Sequence, residues 1–292
     1  MMKKLHLAMV MLLAGILALI LTDLADTHVK EKKILLFTKS SGFQHSAITR
    51  SNDLLGHAER VMVEVGALHG YTVFPTKDGR LITAENLKNY DAVAFYTSGN
   101  LTESGTDQFP AVSEQGMKDL YDWVKNGGGF SGWHSAVDTI RRSNDNEPTT
   151  EFTRFIGAAF KFHGRQEEGT VVVVDPKHPT MMNLPISFRF LEEWYVNDQW
   201  DTLENIHVLQ MLDTQTMEQE QYKGQQPFPI TWCSNYGKGR VYVSAIGHRE
   251  DVWDNTVMKQ MIINAFAWTS GDVEGDATPN YKQIMDQFKL EP

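Results

Sequence analysis

The sequence predicts an α/β protein, a doubly wound and mainly parallel sheet with helices on both faces. Three observations carry that reading. Short, wholly apolar runs recur along the chain, as strands covered on both faces require. Amphipathic helical segments separate them, and glycines stop those helices. Strands alternating with helices imply βαβ units and parallel neighbours.

Taken in order, Ile34 to Thr38 is the first apolar run. A helical stretch to Leu68 follows, stopped at Gly70, and Tyr71 to Phe74 is a second strand ended by Pro75. Ala92 to Tyr96 is a third. The clearest helix carries Met117, Leu120, Tyr121 and Val124 at i, i+3, i+4 and i+7, with Ser113 as its cap and Gly127 at its end. Phe130 to His134 is the fourth strand. From Thr150 to about Tyr222 the pattern is irregular, with one strong strand (Thr170 to Val174) and aromatic-rich segments around Trp194 and Trp200. That region is expected as insertions beside the sheet. Ile230 to Ser234, a turn at Tyr236 to Gly239, and Arg240 to Ile246 restore regularity. A closing helix has Met258, Met261, Ile262, Ala265 and Phe266 at helical spacing, and the tail beyond Gly271 is expected to pack loosely.

Composition narrows the function. With 292 residues, 41% hydrophobic and 22% charged, the chain can bury one large core. A net charge of −10 with no dense basic run excludes a nucleic-acid partner. Residues 1–32 differ from the rest: Lys3-Lys4 precede an apolar stretch from Leu5 to Leu21, which reads as an export signal. Acidic Asp23 and Asp26 crowd the cleavage region, so a cleaved signal peptide and an uncleaved membrane anchor both stay open. Either places the remainder outside the cytoplasm, periplasmic or extracellular. The main domain is expected over residues 33–271, followed by a tail over 272–292. Cys233 is alone, so no internal disulfide forms.

Gly127, Gly129 and Gly132 spell G-x-G-x-x-G, but they follow a helix and lead into a strand. A pyrophosphate cradle needs the reverse order, and no nucleotide cofactor is expected. The histidines point elsewhere. Ligands of open parallel sheets bind beyond the carboxyl ends of the strands. His45 lies past the first strand, His134 ends the fourth and His248 follows the last, while His163 joins from the irregular region. Imidazoles gathered there can hold a metal, move protons or hydrogen-bond sugar hydroxyls. His57, His69, His178 and His207 lack this placement and read as structural or surface groups. Glu193 and Asp138 are candidates to complete a metal site or serve as acid or base, whereas Glu192 reads as a solvated charge. Phe43, Trp133, Trp194, Tyr195 and Trp253 lie beside these groups and offer ring faces suited to a pyranose.

The segments Thr38 to His45, Gly127 to Ala136 and Tyr236 to Tyr242, with Gly247-His248 after them, resemble the ThuA-like (trehalose utilisation) family. The resemblance spans about Lys33 to Gly271. It implies a flavodoxin-like fold of the class I glutamine amidotransferase type. In that fold a nucleophilic cysteine occupies the sharp turn after the central strand. His134 stands there instead, so amidotransferase chemistry is not expected, and Ser135 lacks the G-x-S-x-G frame of a serine hydrolase. The family implies a role in carbohydrate breakdown, on a disaccharide, a glycoside or a keto derivative. The expected site has His134, His45, His248, Glu193 and Asp138 as catalytic candidates. Phe43, Trp133, Ser135, Trp194, Tyr195 and His163 are the expected sugar contacts. A divalent metal, zinc or manganese, would sit on some of His45, His134, His163, His248 and Glu193. A non-catalytic carbohydrate-binding or sensing domain is the alternative. Self-association into a homo-oligomer stays open.

Overall fold

A computed structural model describes residues 31–52, 54–144, 146–198 and 205–288. The leader ahead of residue 31, Trp200 and residues 289–292 lie outside them. The first half of the described chain runs β1 (Lys32–Phe37), α1 (His57–Leu68), β2 (Tyr71–Thr76), α2 (Ala84–Leu87), β3 (Ala92–Phe95), α3 (Glu114–Lys125) and β4 (Gly129–Trp133). The apolar runs that marked these strands are buried: Ile34 to Phe37 in β1 and all of β3 and β4. In α3 the Ser113 side chain accepts from Gly116 N at 2.9 Å, and Met117, Leu120, Tyr121 and Val124 form its buried face. The helix ahead of Leu68 is shorter than the sequence suggests. It begins at His57, after a 3₁₀ turn at Ser46–Ile48, and Gly56 rests against the backbone of Ile48.

The second half contains α4 (Glu151–Ile156), β5 (Ala159–His163), β6 (Glu167–Val173), β7 (Ser187–Glu192), β8 (Tyr195–Asp198), β9 (His207–Asp213), β10 (Phe228–Tyr236) and β11 (Gly239–Ser244). It ends with α5 (Glu250–Asp254), α6 (Thr256–Thr269) and α7 (Tyr281–Gln287). Nine strands form one sheet in the order β2-β1-β3-β4-β11-β10-β9-β6-β7. The five from β2 to β11 run parallel. The remaining four continue the sheet antiparallel. A separate ribbon pairs β5 with β8.

Two expectations are corrected here. The irregular region supplies β6, β7 and β9 to the main sheet, so it is an extension of that sheet and not a set of insertions beside it. β6 and β7 alternate buried with more exposed residues, the pattern of antiparallel strands whose second face is only partly covered, while β9 is buried almost throughout. The tail beyond Gly271 is also tied down. Asn280 pairs with the backbone of Val208 on both sides, Thr278 O accepts from the His207 ring, and Ile284 is buried. Among the described residues, no helix is long and apolar enough to cross a membrane.

Candidate metal centre

Topology brings three histidines to the carboxyl edge of the parallel strands. His45 follows β1 and is 2% exposed; His134 directly follows β4 and is fully buried. His248 follows β11, on a loop shaped by Gly247 at φ 129°. A Cβ at Gly247 would press on the Trp253 indole, and both Trp253 Nε1 and the Tyr96 hydroxyl donate to the Gly247 carbonyl, at 2.8 and 2.9 Å. His134 itself has φ 44°, left-handed backbone that non-glycine residues rarely adopt. Such strain persists where surrounding structure overdetermines it, most often at functional turns.

The donor atoms converge. His134 Nε2 is 3.2 Å from His45 Nε2, and Glu193 Oε2 is 3.0 Å from His248 Nδ1 and 4.0 Å from His134 Nε2. One donor from each of these four residues falls in a group whose members all lie within 4.8 Å of one another. Metal–donor bonds of about 2.0–2.2 Å give tetrahedral edges near 3.3 Å, so the spacing suits a small divalent cation. The His134 Nδ1–H points to Ala245 O at 3.2 Å, which leaves Nε2 as a lone pair aimed into the group. His45 Nδ1 has no partner of its own. Burial, then the charges of His248 and His163, pushes His45 down to about 3. Burial, then His45 and His248, holds His134 well below the usual imidazole range. Both therefore present neutral rings. Burial also opposes charge on His248, but the Glu193 carboxylate outweighs it and the balance is upward.

Around this group the expected residues divide. His163 is not a member: its Nδ1 lies 3.2 Å from Glu193 Oε1, the oxygen that faces away from His248, and 2.8 Å from Gly164 O. Its place among the metal ligands is corrected to that of a partner orienting Glu193. Tyr195 is buried, with its hydroxyl 3.3 Å from His45 Nε2 and its ring stacked on His163. Phe43 is 66% exposed and meets the His45 ring edge-on. Asp138 is tied to the Arg141 guanidinium and stands outside the donor group. The Ser135 hydroxyl is buried without a partner.

Trp133 and Trp194 are corrections. Both are fully buried, Trp133 packed on Tyr242 and Trp253, Trp194 donating to Glu167 O. Neither offers a ring face to a ligand: Trp133 ends β4 inside the core, and Trp194, between β7 and β8, lays its indole over Gly169. Trp253 is likewise buried and serves the Gly247 loop. The reading of Glu192 as a solvated charge is also wrong: its carboxylate is fully buried. Strand alternation could have revealed it, since Glu192 shares the inward face of β7 with Phe190. Burial pushes its carboxyl up to about 7, against the pull of backbone amides and His248.

Residues 33–269 match the ThuA family, described as trehalose utilisation, and the chain belongs to that family. A ThuA-like protein from Bacteroides uniformis superposes with a TM-score of 0.60 at 20% identity, covering 82% of this chain and 91% of that one. A ThuA-like protein from Parabacteroides merdae gives 0.58 at 17%, covering 83% and 91%. These likenesses establish the fold. No curated protein matches the sequence. Family membership ties the chain to a carbohydrate-related role.

Proposed function

We propose that the protein is a metal-dependent enzyme acting on a disaccharide, a glycoside or its keto derivative. In this reading His45, His134, His248 and Glu193 hold a divalent cation, zinc or manganese. The observation that carries it is the convergence of these four donors, two of them on buried rings that stay uncharged near neutrality. These four donors meet chiefly one another, His134 with His45 and Glu193 with His248, and a cation between them would satisfy all four together. When bound with a coordination position left open to the sugar, the cation would supply a Lewis acid for its carbonyl or hydroxyl oxygen.

The chain's own groups suit proton transfer. A 3-keto group acidifies the adjacent C–H, and one base then suffices. His163, the exposed imidazole at the rim, is placed to take that proton, and Glu193 Oε1 holds its ring. The Tyr195 hydroxyl is positioned to donate to an oxygen bound beside His45. Phe43 offers the accessible ring face of the rim. Glycoside hydrolysis by paired carboxylates is disfavoured, because Asp138 is committed to Arg141 and Glu193 to histidines. The basic and apolar start of the chain supports export, which N-terminal sequencing of the mature protein tests.

Metal analysis of purified protein is expected to find about one zinc or manganese per chain, lost in His134→Ala. Incubation with oxidised and unoxidised disaccharides should then yield product from the metal-loaded protein. Sugar binding that is unchanged by chelation, with no product from any disaccharide, would make this a non-catalytic carbohydrate-binding domain.

A further inference from the structure

The two loops that bring Glu193 and His248 together belong to strands far apart in the sheet. β7 is an edge strand and stands four places from β11. At about 4.8 Å per strand, a flat sheet would hold their ends roughly 19 Å apart. Glu192 nevertheless touches the loop after β11. Its Oε2 accepts from Gly247 N at 2.9 Å, and its two oxygens accept from His248 N at 3.2 and 3.1 Å. Oε1 also accepts from Glu193 N at 2.7 Å. One fully buried carboxylate thus holds the backbone of both neighbouring ligands, and α5 packs against β7 at the same place.

We infer that Glu192 is a positioning residue that closes the antiparallel arm of the sheet onto the parallel edge and so assembles the metal centre. The inference rests on the metal reading proposed above. Its physical basis is the match of partners. Three backbone amides converge on one side chain, and the ionised carboxylate can accept from all three, through charge-assisted bonds about twice as strong as neutral ones. Glutamine in the same place turns an NH₂ toward those donors and leaves amides unpaired. Aspartate is one methylene too short to span from β7 to Gly247.

Zinc titration of full-length wild type, Glu192→Gln and Glu192→Asp tests this, with cobalt(II) absorption as a report on ligand geometry. Both variants are expected to bind zinc about 10–100-fold more weakly and to show altered cobalt bands. Val73→Ala, which destabilises β2 far from the centre, should leave affinity and bands unchanged. Hydrogen exchange on the metal-free wild type needs no variant: the Gly247 and His248 amides should be protected like strand amides. Wild-type affinity and spectrum in both variants would overturn the clamp, as would free exchange at those two amides. A wild type that binds no zinc, cobalt or manganese would instead remove the metal reading itself, and the clamp with it.

Discussion

At the scale of single residues, burial decides which imidazoles stay neutral, and that has a measurable cost in acid. His178 lies away from the centre and is 3% exposed, with Nδ1 accepting from Thr180 N. Burial, then the charge of His207, pushes it down to about 4, although Asp175 and Asp276 oppose. The unfolded chain takes up that proton near 6.5, the native chain only near 4. Between these values the unfolded state binds more protons, so stability falls as pH drops from 6.5 to 4. His45 acts with the same sign. The urea midpoint is therefore expected to decline across this window, and less steeply in His178→Asn; equal slopes would show that His178 titrates normally. Glu192 shows why residue type misleads. A carboxylate is solvated by default, and only amide donors brought from another strand make its burial tolerable.

At the scale of elements, close approach matters more than propensity. β4 lies under α6, and a Cβ on Gly129 would collide with the Thr269 carbonyl, backbone that cannot swing away. Gly129→Ala is expected to cost about 1–3 kcal/mol through strand–helix separation. Ser113→Ala loses only the cap of α3, about 1 kcal/mol. Urea denaturation of the two variants should rank them in that order, and the reverse ranking would mean that β4 and α6 are not held at this distance. The α3 stripe, the β1 and β3 runs and the closing helix were all legible, because each element's burial is written in its own period. Strand β6 was legible as the Thr170 to Val174 run, but β7 and β9 were not. β7 alternates exposed, partly polar residues with more buried ones, and β9, though largely buried, carries His207, Gln210 and Asp213, so neither reads as an apolar run until antiparallel partners cover it.

At the scale of the whole molecule, the candidate centre spans both halves of the sheet, with His45, His134 and His248 from the parallel edge and Glu193 from the antiparallel arm. A cation held there stabilises the fold only in its assembled form. At a hundred times its dissociation constant the gain is about 2.7 kcal/mol. For a domain of this size that is a rise of about 5–10 °C in thermal midpoint. Calorimetry with and without zinc checks it, and no shift at saturating zinc would argue against a centre that joins the halves. The sequence by itself determined the α/β class, the main buried periodicities and the placement of three histidines at strand ends, because periodicity and chain order are local properties. Tertiary structure alone decided that Glu193 faces them, that His163 and Glu192 serve it from outside, and that Trp133 and Trp194 are core. Those facts depend on how the sheet's far edge returns to its centre, which no local pattern encodes.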